Sequence, residues 1–503
     1  MSSKRRFLHD EAADRLFGRK VIKDEHCGSL MEKKMRRKQQ MISGPTVTYL
    51  FWVFIFFLSF PAAGLAGNQE QERKLTVQEA IRVALDENHE VRAQRSARDA
   101  QQKDVGIARS YLLPRVSVEE RYLRTTNPGW AFMSKLNQER ITQQDFAPDL
   151  LNHPDAVNDY QSSLTVEQPL FVKKAFVGLA MSKTEAVARD EEWKRKREEI
   201  AFQVVRAAFM ISSARRYLLA VAAGVADARE HLRVAELRYK NGLGQYADVL
   251  RASTALTEAR QRQTVAEKNV ILAKRGMGLL LASGEPVDVD DGTVAVLPLH
   301  EISIYIKAAE SRSDLKAAVL REENARQNIK MAEAGYYPYV GVGGTYQLND
   351  HSEPFGSEGK NWQVMAFLRW DLFDGTKREY ERAKANHLAS QASEQVAAMK
   401  KGVAFRIHEA YLNVIEARQN TELTREALKT AVEGARLLAV RYKNGLSSLA
   451  DLLSSQASLE QARAGVVERE NAYNIAVATL SYESGIILQD LKIEENSERM
   501  GIR

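Results

Sequence analysis

Two carboxylates hold the most regular placement of any reactive group in this 503-residue chain. Asp248 and Asp451 each follow a copy of the run Arg-Tyr-Lys-Asn-Gly-Leu, found at 238–243 and again at 441–446. A carboxylate just behind such a turn can cap the helix that follows by accepting its free backbone N–H groups, and that local role suffices for either aspartate. Catalytic or metal chemistry has less to work with. None of the nine histidines falls in a His-Glu-x-x-His spacing, and the single cysteine is Cys27. Gly356-Ser357-Glu358-Gly359-Lys360 lacks the leading glycine and the following Ser or Thr of a phosphate loop. No enzyme activity, metal or cofactor is expected.

Both aspartates lie in an internal duplication. From Arg238 and from Arg441, nine of thirteen positions match at an offset of 203. Pro114 and Val116 pair with Pro338 and Val340, and Leu170-Phe171 pairs with Leu372-Phe373, so the copies differ mainly by about 22 residues inserted between Val118 and Leu164. Asn241-Gly242-Leu243 and Asn444-Gly445-Leu446 read as the tips of two helical hairpins, with glycine supplying left-handed backbone. No proline falls between Pro169 and Pro286 or after Pro354. Helices are therefore expected over 172–239 and 376–442, ~100 Å each at 1.5 Å per residue, returning over 247–281 and 450–483. A further helix, over 76–111 and 302–335, precedes each proline-marked break; two short helices stacked end to end would match one long one.

Seven-residue periodicity runs through these segments. Val204, Ile211, Leu218, Val225, Leu232 and Tyr239 share one heptad position, and Ile407, Val414, Leu428 and Tyr442 share its counterpart. Ala252, Ala259, Ala266 and Ala273 form a row that lets a second backbone come close. Taken alone, these rows fit a two-stranded coiled coil before they fit the wall of a cylinder.

Between the helices the period falls to two. Strands are expected over 114–124, 161–171, 339–348 and 361–373, in two hairpins joined by polar loops at 125–160 and 349–360. Nine of the 38 residues from Tyr336 to Phe373 are aromatic, against 8% for the chain, a crowding that suits the girdles of a membrane barrel. Four strands cannot close a barrel, which takes about eight, and open edges in lipid leave backbone groups unpaired. Membrane insertion would therefore demand several chains.

Residues 31–66 have the form of a secretory signal peptide: a basic start, an apolar core from Val47 to Phe60, and Ala62-Ala63-Gly64-Leu65-Ala66. Residues 1–30 make a doubtful extension, with Met31, Met35 or Met41 as alternative starts to Met1. Removing 1–66 leaves 60 basic and 60 acidic residues and no cysteine, so the +6 net charge belongs to the leader and no nucleic-acid partner is expected. The remainder divides into a first repeat at 75–285, a linker at 286–298, a second repeat at 299–485 and a polar tail at 486–503.

The order and duplication of these motifs, from Leu75-Thr76-Val77-Gln78-Glu79-Ala80 through Gln168-Pro169-Leu170-Phe171 and Trp370-Asp371-Leu372-Phe373 to both Asn-Gly-Leu tips, resemble the TolC-like outer-membrane efflux proteins, or channel-tunnels. The resemblance implies a mainly α chain with a small membrane β-barrel portion. A homotrimer would build a twelve-stranded barrel in outer-membrane lipid and a helical tunnel through the periplasm, with the linker at its equator. It further implies an exit duct joined through a periplasmic adaptor to an inner-membrane pump or ABC transporter. Asn241, Gly242, Leu243, Asn444, Gly445 and Leu446 match tips against which adaptors pack. Asp451 matches an aspartate lining the inner aperture, where three copies would form a cation-attracting ring, and Tyr442 and Asp248 match partners in a polar link that holds the tips shut. Ser447 and Ser454 depart from the pattern, standing where some members carry a gate arginine and a second acidic ring. The competing reading is a poreless periplasmic or surface coiled-coil stalk.

Overall fold

The structure, a computed structural model, describes residues 74–290 and 297–493. The expected leader, residues 291–296 of the expected linker and residues 494–503 of the expected tail lie outside the described residues. In the first half α1 (Val77–Glu87) and α2 (His89–Ser110) lead into β1 (Arg115–Thr125). After it come α3 (Pro128–Asn137), α4 (Pro148–Asn152) and β2 (Val157–Phe171), and α5 (Lys173–Lys240) with α6 (Tyr246–Leu280) forms the first hairpin. The second half runs through α7 (Ile302–Ala309), α8 (Ser313–Glu333), β3 (Tyr339–Asp350), β4 (Gly359–Arg369), α9 (Lys377–Lys443), α10 (Leu449–Ser484) and α11 (Ile487–Asp490).

At 68 and 67 residues, α5 and α9 each run ~100 Å without a break. Such length survives in water only if one stripe finds a partner throughout. For α5 the partners are α2 and α8 over one part of its length and α6 and α10 over the other, while α9 packs on α8 and α10. The alanine row faces inward: Ala252, Ala259 and Ala266 are buried, and Ala259 with Leu256 packs on Val225 and Ala228 of α5.

The short helices do stack end to end. The Asn88 side chain joins α6 to α2: its Oδ1 accepts from the N–H groups of Glu90 (2.9 Å) and Val91 (3.4 Å), and its Nδ2 donates to Leu280 O at 2.9 Å. The continuous helix expected over 76–111 is thereby split, with Thr76 and Glu79 forming a capping box at the start of α1. The helix expected over 302–335 is split likewise, between α7 and α8, where the guanidinium of Arg312 binds Glu483 O, Glu483 Oε2 (3.0 Å) and Asp314 Oδ2 (2.7 Å). Around both joints sits the main core, with Ile81, Ile200, Met277, Tyr305, Ile407 and Leu480 fully buried. Ile487, Leu488, Leu491 and Ile493 are buried in the same core, so residues 486–493 are not the polar tail that composition suggests. Asp288 is held there by Arg215 and by Lys274 Nζ at 2.9 Å.

The four strands form one antiparallel sheet in the order β1-β2-β3-β4. Its register puts Val116, Val118, Val166, Leu164, Tyr346, Trp362, Val364 and Leu368 on one face, and Ser117, Glu119, Arg121, Ser163, Thr165, Thr345, Gln347 and Gln363 on the other. The apolar face is bare: Val118 is 69% exposed, and Trp362 and Val364 are each 74% exposed. Water would not tolerate this arrangement, whereas hydrocarbon outside and water inside would suit it. The last strand stops at Arg369 rather than 373, because Arg378 draws the chain into a turn by donating to Asp371 O (2.8 Å) and Leu372 O (2.9 Å). The loop expected over 125–160 also differs, since it contains α3 and α4.

Candidate functional site at the helical tips

Both hairpin tips close in the same way. Gly242 and Gly445 take left-handed φ angles of 72° and 77°. In the first tip Gly242 N donates to Tyr239 O at 3.0 Å and Leu243 N to Arg238 O at 2.8 Å; in the second, Gly445 N donates to Tyr442 O and Leu446 N to Arg441 O at the same distances. This double closure ends a helix, so it accounts fully for the glycines. It leaves Leu243 and Leu446 pointing outward, 70% and 66% exposed. Asn241 and Asn444 are exposed as the capping residues at the ends of α5 and α9.

The two equivalent aspartates do different work. Asp451 is the third residue of a capping box: its Oδ2 accepts from Ser448 Oγ (2.7 Å) and Ser448 N (3.2 Å), while its own N–H donates to Ser448 Oγ at 3.1 Å. The Ser448 hydroxyl holds the Asp451 carboxyl below its ordinary range. In the first tip Gln245 occupies the capping position and makes no side-chain cap bond. Asp248 is thus left half-buried, with Arg251 at 3.8 Å.

Tyr442 is 3% exposed and packs with Ala235, Ala252, Leu449 and Leu452, which brings three of the four tip helices onto it. Burial pushes its phenol pKa up, the charge of Asp248 pushes it further, and that of Arg238 opposes both. The direct tie comes from Arg238, which sequence reasoning passed over. Its Nη1 donates to Tyr442 O at 2.6 Å and Lys443 O at 3.4 Å, its Nη2 to Leu243 O at 3.0 Å, and its guanidinium lies 5.0 Å from the centre of the Tyr442 ring. One side chain thus satisfies carbonyls at the end of α9 and in the turn after α5, and a cation at a helix end is also favoured by the helix dipole. Its duplicate, Arg441, reaches only its own tip, donating to Leu446 O at 3.3 Å. With identical residue types at both positions, no signal in the sequence separates the two.

Beside the tips, α5, α6 and α10 enclose a groove of about 780 Å³. Ala220, Ala255, Ala457 and Ala464 line it together with Glu258 and Glu460, and Arg262 of α6 binds Glu460 of α10 at 2.8 Å.

Three comparisons place the chain among known proteins. Protein CyaE of Bordetella pertussis is 31% identical over 173 residues, a match spanning 33% of this chain and 36% of that protein. Outer membrane protein TolC of Vibrio cholerae is 21% identical over 410 residues, covering 80% of this chain and 88% of that one. The crystal structure of the outer membrane protein VceC, also from Vibrio cholerae, superposes with a TM-score of 0.66 at 17% identity, over 81% of this chain and 96% of the other, which establishes the shared fold. The profile of the outer membrane efflux protein matches residues 80–282 and 304–485, both halves of the duplication, and the chain belongs to that family.

Proposed function

We propose that three copies of this chain form an outer-membrane exit duct that receives cargo from an inner-membrane transporter through a periplasmic adaptor. The observation that carries this is the sheet: one face with a bare apolar band, the other largely polar, with β1 and β4 as open edges. Three such sheets, joined β4 to β1, give twelve strands, all antiparallel, with no edge left in lipid. A stalk without a pore would have no use for Trp362 and Val364 turned outward. Passage, not bond-making, is the work, and the chain is proposed to carry no catalysis.

The tips are the proposed gate. Arg238 binds the end of α9 to the first tip, with Tyr442 as the buried body against which it lies and Asp248 close by. It supplies the tip cation that Ser447 does not. Asp451 acts first as a helix cap, and its exposed carboxylate, repeated three times around an axis, adds negative charge at the aperture. Leu243 and Leu446, exposed where the chain should meet water, are the proposed adaptor contacts together with the alanine-lined groove.

Purified in detergent and added to planar bilayers, the protein is expected to conduct ions and to favour cations. Cysteines at Asn241 or Asn444 should resist impermeant labels applied to intact cells. A protein that stays in solution without detergent and never conducts, or tips that label from outside, would contradict the reading.

A further inference from the structure

The insertion that distinguishes the first half from the second is folded, and it sits on one particular side of the sheet. Asn127 Oδ1 accepts from Trp130 N at 3.2 Å and Pro128 occupies the first helical position, which starts α3. One face of the helix, Ala131 and Ser134 with Gln138 just beyond its end, is buried against the strands. Gln138 Nε2 donates to Asn158 O at 2.8 Å and to Asp159 Oδ1 at 2.9 Å, and Asn349 Nδ2 donates to the same carboxylate oxygen at 2.9 Å. Gln138, Asp159 and Asn349 are each at most 1% exposed. Farther along, Arg140 lies 3.9 Å from Glu358, and a side-chain carbon on Gly359 would come within 1.9 Å of Asn137 O.

Asp159, Asn349 and Gly359 all belong to the polar face, in register with Gln161, Gln347 and Asn361. α3 therefore lies over the lumen side of β2, β3 and β4, at the end of the sheet away from the long helices. Its second face, Trp130, Met133 and Leu136, is 57%, 48% and 47% exposed, with Trp130 and Met133 lining a hollow beside Gln161 of β2. Lys135 Nζ binds Asp145 Oδ1 at 2.8 Å and holds that carboxyl down to about 2, which fastens the segment after α3 back onto it.

We propose that the α3 segments of three copies meet over the lumen through Trp130, Met133 and Leu136 and form a second constriction at the outer mouth. This rests on the trimeric duct proposed above. A twelve-stranded barrel tilted by ~40° with strands ~4.8 Å apart is ~24 Å across at the backbone. Three side-by-side helices, each ~10 Å wide, span ~21 Å and leave only gaps beside the wall. The occupant of each apolar face is thus the same face of the neighbouring copies. Small molecules and extended chains can pass such a mouth, whereas a folded domain requires the three segments to lift.

In a Cys27→Ser background, Met133→Cys in detergent-purified trimers should be joined by a short bis-maleimide into covalent dimers and trimers. Gln363→Cys, on the same polar face lower in the barrel wall, should remain monomeric on denaturing gels. Adding Gly359→Val, which forces Asn137 away without touching the apolar face, should abolish the Met133→Cys crosslink while the trimer persists. Trimers in which Met133→Cys takes a monofunctional maleimide but does not crosslink, or crosslinks equally with Gly359→Val, would overturn the proposal. A wild-type protein that is not trimeric would overturn the duct itself as well.

Discussion

Arg238→Ala is expected to shift the assembled channel from closed toward open by about 100-fold, seen in planar bilayers as long-lived high-conductance openings. The guanidinium makes charge-assisted bonds to Tyr442 O and Leu243 O and lies over the Tyr442 ring. Because the side chain is half-buried, about 1 kcal/mol per copy is a fair value after solvent screening. Three copies opening together lose ~3 kcal/mol of closed-state preference, which is the stated factor. Arg238→Lys keeps the charge but loses the planar fork, so it should fall between the two. Arg441→Ala removes a bond confined to one tip and should leave conductance near that of the wild type. Equal effects of Arg238→Ala and Arg441→Ala would refute the latch.

The second large effect is expected at the joint between α10 and α8. The Arg312 side chain is 2% exposed and neutralises Asp314 and Glu483, which are 26% and 19% exposed. Burial alone would raise the Asp314 pKa, but Arg312 holds it below the ordinary value. Arg312→Ala leaves Glu483 to Arg406 at 3.3 Å and Asp314 to Arg195 at 3.8 Å, and it frees the carbonyl at the end of α10, at a cost of about 2 kcal/mol. The thermal midpoint of the detergent-solubilised protein should fall by several degrees, and replacing all three groups by apolar residues of similar volume should restore most of it. A midpoint unmoved by Arg312→Ala would mean that the stacked helices are held by the apolar core alone.

Much of this architecture was legible because the chain repeats itself in periods. A seven-residue stripe that continues past sixty residues admits few partners except another long helix. The alternation of Trp362 and Val364 with Asn361 and Gln363 marks the side of β4 suited to lipid. Asn-Gly placed both tips to within a residue. The breaks were harder. Asn88 and Arg312 interrupt their helices without proline or glycine, and each does so by bonding a residue more than 150 positions away. Local propensity carries no trace of such a partner. The inserted helix had a start signal in Asn127-Pro128, but its polar flanks read as loop, and only the contact with Asp159 and Gly359 shows which face of the sheet it covers. Ile487 to Ile493 read as the beginning of a polar tail because the core that receives it is assembled from both halves.

The measurement closest to the central claim is crosslinking between the open edges of the sheet. Cysteines introduced along β1, from Arg115 to Arg121, and along β4, from Asn361 to Phe367, would be paired in a Cys27→Ser background and oxidised in membranes. An antiparallel junction between neighbouring copies predicts a single register of pairs that yields covalent trimers and no larger species. Absence of any crosslinked register in a protein recovered as a monomer would contradict the shared barrel.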